Sequence, residues 1–215
     1  IENTATSSAY GVFLTDTASF NTIDSCHIVN DVTSSSSSIA GILATGSETS
    51  TSTEGMNAEF NTFSNSVITG GYYGIRLEGA SATRNEGNTV ANNVFDNQYL
   101  YGIYMDDQDS ITITGNTISN LRATTADGIY LFDLMMFNIS NNIVNAPDYA
   151  FYLSDGNFDA TPTSRGVISN NIFYSGSDYA LYLDDVEEVN IWHNTTYSDG
   201  DYGFRSNDLL SADIK

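Results

Sequence analysis

The stretch Tyr101-Gly102-Ile103-Tyr104-Met105-Asp106-Asp107 decides the fold, because it is one copy of a phrase that returns along the whole chain. Copies begin at Tyr10-Gly11, Ala40-Gly41, Tyr73-Gly74, Tyr101-Gly102, Asp127-Gly128, Tyr149-Ala150, Tyr179-Ala180 and Tyr202-Gly203. A second phrase, Ile-x-Asn-Asn-x-Ile, alternates with it and begins at Ile23, Phe63, Val90, Ile113, Ile139, Ile168 and Trp192. One phrase follows the other after 11 or 12 residues in most copies, a repeat of 22 to 24. That period is too short for a solenoid built with helices and fits one coil of three short strands and three corners. Apolar and polar residues alternate at period two in both phrases, as strands with one buried face require.

The predicted fold is therefore all-β: a right-handed, single-stranded parallel β-helix of about eight rungs, three strands per rung, forming a single domain over residues 1–215. Composition agrees. Lys occurs once, and Asn, Ser, Thr, Asp, Gly and Tyr dominate; these residues supply turns and pleated surfaces rather than helices. Hydrophobic residues make up 40% of the chain, enough for a core.

With 27 acidic residues against six basic ones, the net charge of −21 disfavours nucleic acid and anionic membranes as partners. No apolar run is long enough to insert in a membrane, and the single Cys26 forms no intrachain disulfide. The repeat runs to both ends without an amphipathic cap. Both ends therefore read as cut points in a longer protein, with end-to-end contact to further rungs or another chain expected.

Two columns of the second phrase carry Asn. On this alignment they read Ser25, Asn65, Asn92, Gly115, Asn141, Asn170, Asn194 and Cys26, Ser66, Asn93, Asn116, Asn142, Asn171, Thr195. Asn tolerates left-handed backbone, and its amides can hydrogen-bond from rung to rung, so the columns read as a structural corner.

In the first phrase, the fifth residue after the Gly or Ala forms an acidic column: Asp16, Gly46, Gly79, Asp107, Asp133, Asp155, Asp185 and Asp208. Rungs about 4.8 Å apart would stack these carboxylates, with Asp106 and Asp184 beside them. Like charges that close need compensation. Either the side chains accept backbone N–H groups at the turn, which is the simpler reading, or Asp107, Asp133, Asp155 and Asp185 hold a hard cation such as Ca²⁺. No cofactor is otherwise required.

Between the inward Ile and Leu lies a column reading Phe13, Leu43, Arg76, Tyr104, Tyr130, Tyr152, Tyr182 and Arg205. Alternation places it outside, so Tyr104, Tyr130, Tyr152 and Tyr182 make an exposed strip. They either bind the faces of sugar rings or pack on one another and stiffen the sheet, and the packing reading is the simpler. Insertions at Ser47 to Glu59, Ala80 to Gly87 and Gly156 to Gly166 share one corner and should project from one side. Those at Asp31 to Ser38 and Arg122 to Ala126 occupy another connection, and the five-Ser run reads as a flexible loop.

These phrases resemble the parallel β-helix repeats of the pectin-lyase-like superfamily. In particular they are similar to the NosD-like "right-handed β-helix region" segments of bacterial secreted and surface proteins. The resemblance extends from about Tyr10 to Asp208 and implies fold more than function, since the superfamily includes lyases, hydrolases, epimerases, adhesins and phage tailspikes. Its lyases use Lys or Arg, often with Ca²⁺; here only Arg76 and Arg84 share a rung. Its polygalacturonase-like hydrolases carry four motifs, of which this chain has only Asp-Asp, at Asp106-Asp107 and Asp184-Asp185. The epimerase motif fails after Tyr202-Gly203-Phe204, and His27 and His193 sit in distant rungs.

The resulting expectation is a non-enzymatic module of an extracellular or cell-surface protein, serving as adhesin, stalk or polysaccharide-binding surface. Tyr104, Tyr130, Tyr152 and Tyr182 would bind a polysaccharide or cell-surface glycan. The alternatives are a polysaccharide lyase, hydrolase or epimerase using Asp106, Asp107, Asp133, Asp155 and Arg76, and a trimeric tailspike-like fragment.

Overall fold

A computed structural model of the chain describes residues 1–55, 58–157 and 165–215. Short strands separated by tight turns stack into three parallel sheets, each gaining one strand per rung. The first sheet carries the tyrosine phrase, with strands from Ala9–Leu14 through Tyr101–Asp109 and Asp127–Met135 to Tyr202–Leu210. The second runs from Thr22–Asp24 to Asp213–Ile214, and the third from Glu2–Asn3 to Thr195–Ser198. All pairings between successive rungs are parallel, so each strand reaches the next in its sheet only after a full coil. The described residues contain no α-helix.

Each sheet sends side chains inward, the first in two columns. Ile75, Ile103 and Ile129 come from the first, Val90, Ile113 and Ile139 from the second, and Phe95, Ile118 and Val144 from the third, all at most 1% exposed. Full burial of each such side chain stabilises by about 1.5–3 kcal/mol, and stacking repeats the gain rung after rung. Gly128 leaves no room for a side chain between the first and third sheets: a Cβ there would lie 2.1 Å from Val144 Cγ1 and 2.7 Å from the Ala150 carbonyl oxygen.

The Asn corner forms between the second and third sheets. Asn93, Asn116, Asn142, Asn171 and Asn194 stack, and each of the first four donates its backbone N–H to the next side-chain Oδ1 at 2.9–3.0 Å. Each amide also donates to the carbonyl of a second-sheet residue one rung back, as Asn142 Nδ2 does to Ile113 at 2.9 Å. The neighbouring column is left-handed, with Asn65, Asn92, Asn141 and Asn170 at φ 50° to 58°, a conformation Asn tolerates better than most residues.

One alignment is corrected at the last full rung. Ile191, not Trp192, pairs with Ile168, so His193 takes the left-handed place assigned to Asn194 and Asn194 takes the ladder place assigned to Thr195. Burial decides the register: Ile191 is 5% exposed and fills the core, whereas the bulkier Trp192 stays outside. A second amide relay, unforeseen from sequence, runs through Asn21, Asn61 and Asn88 at the corner entering the second sheet.

The five-Ser run is not a free loop in this structure. Asp31 accepts the N–H groups of Thr33 and Ser34, Ser34 and Ser36 donate to the Thr6 and Ser7 carbonyls, and Arg122 donates to the Ser34 carbonyl.

Candidate functional site

The outer face of the first sheet carries two aromatic ladders, not one. Strict alternation places Tyr101 inside with Ile103 and Met105, but alternation breaks at Gly102 and both Tyr101 and Tyr104 face outward, their rings 5.3 Å apart. In the missed ladder, Tyr73 stacks on Tyr101 at 5.4 Å and 8°, Tyr149 on Tyr179 at 5.6 Å, and Tyr179 on Tyr202 at 5.8 Å. In the expected ladder, Tyr104 stacks on Tyr130 at 6.0 Å and Tyr130 on Tyr152 at 4.5 Å, while Tyr152 and Tyr182 meet tilted at 59°. A Tyr at the head of most phrases was the available signal.

Mutual packing corrects the expectation of an exposed strip: Tyr104, Tyr130, Tyr152 and Tyr182 are all half-buried. Burial raises the pKa of each phenol, so all four keep their hydroxyl protons. The outward Leu43 and Arg76 of the same column are buried, at 0% and 7% exposed. Near Leu43, the insertion after Ala44 folds back along its own strand. Thr51 Oγ1 donates to the Ser37 carbonyl at the strand's far end, and Gly55 N–H reaches Gly79. Met56 and Asn57 of that insertion, and residues 158–164 of the third, lie outside the described residues.

Arg76 is fully committed. Its guanidinium lies 4.6 Å from the ring centroids of both Tyr73 and Tyr104, pairs with Glu78 and donates to the Tyr73 hydroxyl. Placed between two rings and paired with Glu78, it anchors the ladder. Arg84 does not join it. The Ala80–Arg84 bulge carries Arg84 past the next rung to Asp133, two rungs on, where it pairs with the carboxylate.

The acidic column has the predicted register, since Asp107 aligns with Gly79 on one side and Asp133 on the other. Its cause is backbone conformation: Asp16, Asp107, Asp133, Asp155, Asp185 and Asp208 are all left-handed, with φ between 42° and 54°. The described hydrogen bonds to these carboxylates come from side chains, Arg84 to Asp133 and Ser154 Oγ to Asp155 at 2.9 Å, and not from backbone N–H groups. Asp155 and Asp185 instead line a cleft of about 190 Å³ with Glu187, Asp208 and Leu210. Among the described residues, no three His, Cys, Asp or Glu side chains converge as metal ligands would.

Asp107 is 5% exposed. Burial, then a hydrogen bond to Asp133 and the charges of Asp106 and Asp133, push its pKa up to about 7, with Arg84 pulling the other way. Asp106 is raised by burial as well, with Asp133 and Glu54 contributing against the Asp107 N–H. Asp106, Asp107 and Asp133 thus form one cluster beside the ladder, and Asp155, one rung beyond Asp133 in the same column, lines the cleft with Asp185.

A second buried carboxyl, overlooked in the sequence, interrupts the first ladder. Asp127 occupies the column place of Tyr between Tyr101 and Tyr149 and is 5% exposed. Burial raises its pKa to about 8; the Tyr149 N–H, donating to Oδ1 at 3.0 Å, opposes this, and Asp148 and Asp178 add to it. The signal was a charged residue in a column otherwise of Tyr, with one Ala at Ala40.

Both carboxyls hold protons in the folded chain that the unfolded chain, with the ordinary value of 3.8, releases. The native state therefore binds more protons between about pH 4 and pH 8, and stability falls as pH rises through that window. Thermal denaturation across that range should show the melting temperature falling, and Asp107→Asn with Asp127→Asn should flatten the slope. A melting temperature that climbs with pH would contradict these assignments.

A family model described as right-handed β-helix region matches residues 1–163 and 54–208. Among solved structures, the crystal structure of PfbA, a surface adhesin of Streptococcus pneumoniae, is similar at 14% identity and a TM-score of 0.47. That match covers 97% of this chain and 58% of that one, so this chain spans less than two thirds of its neighbour's length. No curated protein matches.

Proposed function

The chain belongs to the right-handed β-helix family, and we propose that it is a non-enzymatic glycan-binding module of an extracellular or cell-surface protein. One observation carries this reading: two tyrosine ladders run side by side on one face, that of Tyr104, Tyr130, Tyr152 and Tyr182 half open to solvent, its neighbour largely buried and interrupted by the Asp127 carboxyl, with Asp106 at the other edge. Flat rings offer surface to the apolar faces of sugars, while carboxylates and phenols exchange hydrogen bonds with their hydroxyls. Stacking also fixes the ring rotamers before binding, which lowers the ordering cost. A face that continues from rung to rung suits an extended polymer better than a single sugar.

Affinity electrophoresis against a panel of neutral, amino and acidic polysaccharides tests the reading. Retardation by at least one neutral or amino polysaccharide is expected, and passage through all of them unretarded would sink it.

One observation favours a second reading. Asp107 keeps a proton near neutral pH beside the Arg84-paired Asp133, an arrangement able to supply a general acid. Under that reading, incubation with the same polysaccharides releases new reducing ends or unsaturated uronates, and Asp107→Asn abolishes the release. The binding module yields neither product.

A further inference from the structure

We infer that the Asp127 rung is a subsite for a protonated amino sugar within a glycan lying along the tyrosine ladders; this rests on the glycan-binding reading and names the sugar it selects. The ladders already show what they hold. At one end the Arg76 guanidinium lies 4.6 Å from the Tyr73 and Tyr104 centroids. At the other, the Arg205 guanidinium lies 5.2 Å and 5.6 Å from those of Tyr179 and Tyr182, with Nη1 donating to the Tyr179 hydroxyl at 2.6 Å. Paired tyrosine rings on this face are cation seats, as their quadrupoles dictate.

Asp127 lies between those two ends with a carboxyl but no cation from the chain. It is 5% exposed, and its one hydrogen bond among the described residues comes from the Tyr149 N–H. The other titratable groups acting on it or feeling its charge are Asp148, Asp178, Tyr101, Tyr130 and Tyr149, all acidic. No Arg or Lys contributes to the field at Asp127 or at Asp148. The six basic residues are engaged elsewhere: Arg84 with Asp133, Arg122 over Tyr99, Arg165 with Glu188, Lys215 with Asp213, and Arg76 and Arg205 at the ladder ends.

A carboxyl so placed stays protonated because ionising it without a partner costs too much. An ammonium brought in by the ligand changes that balance. It lies against the rings, pairs with Asp127 and its neighbours, and drives the Asp127 proton into solvent. An N-acetylated sugar of the same shape carries no charge and gains neither interaction. Selection for the free amine over the amide follows.

Calorimetry tests this with an oligosaccharide of glucosamine, its N-acetylated counterpart and a neutral hexose oligomer, in two buffers of different ionisation enthalpy. At about pH 5.5, where the amine and Asp127 both start protonated, and about 0.15 M salt, the amino oligomer should bind about tenfold or more tighter than the N-acetylated one. Its binding should also release a proton per site, which the other two do not. Asp127→Asn should bring the amino oligomer down to the affinity of the N-acetylated one, and Asp148→Asn should narrow the gap. Asp96→Asn, an exposed-side acid on the third sheet, should leave the gap intact, which separates the subsite from attraction by bulk charge. Equal affinities, or a preference that survives Asp127→Asn, would overturn the inference while leaving glycan binding standing. Failure of all three oligomers to bind would overturn the glycan-binding reading with it.

Discussion

Asn142→Ala should lower stability by roughly 3–5 kcal/mol, among the largest effects any single side chain here can have. The Asn142 side chain lies mid-ladder and fully buried. Its Oδ1 accepts the Asn116 backbone N–H and Nδ2, both at 3.0 Å, and its Nδ2 donates to the Ile113 carbonyl at 2.9 Å and to Asn171 Oδ1 at 3.0 Å. Truncation removes all four bonds and strands the buried Asn116 N–H without a partner, which alone costs about 1–3 kcal/mol. Asn141, one residue earlier, is exposed and left-handed at φ 58°. Asn141→Ala should cost only about 1–2 kcal/mol of backbone strain, and Asn141→Gly almost nothing. Urea denaturation of the three variants checks this; equal losses at 141 and 142 would mean the ladder is not what holds the corner.

Gly128→Ala should cost about 2–3 kcal/mol, and the reason is steric and local. The added methyl would stand 2.1 Å from Val144 Cγ1 and 2.7 Å from the Ala150 oxygen, so one sheet must give way. Ala150 and Ala180 occupy the same place in later rungs, so the position as such does not forbid a methyl. Removing the Val144 Cγ atoms should then recover part of the loss. In a double-mutant cycle, Val144→Ala should be less damaging in the Gly128→Ala background than alone. Simple additivity of the two losses would show that Gly128 is needed for some other reason.

What sequence conveys about this chain follows from which contacts are periodic. Core columns, the Asn corner and the acidic column repeat at the rung period, so each was legible from spacing. The slip at Trp192 arose because an aromatic residue beside Ile191 satisfies an apolar pattern equally well, and only packing volume tells them apart. The tyrosine ladder that includes Tyr73 and Tyr101 was hidden because alternation fails at Gly102. Asp127 stood in plain view as a departure from Tyr, but its environment depends on the rings of adjacent rungs. Arg84 and Asp133 are 49 residues apart and meet only because a bulge spans a rung, a contact that no spacing rule announces. The backfolded segment after Ala44 is likewise invisible in the repeat, as is the aromatic packing that leaves Ala40 and Leu43 with no exposed surface.

The claim that the tyrosine face binds glycan is tested most directly by titrating one retained oligosaccharide into the chain and into Tyr130→Ala and Tyr152→Ala. These two rings form the tightest stack of the face, 4.5 Å between centroids. Each truncation should weaken binding about tenfold or more, the scale of an aromatic anchor, while an exposed substitution on the opposite side of the rung, Ile143→Thr, leaves it unchanged. Undiminished affinity in both tyrosine variants would place the binding surface elsewhere and contradict the account.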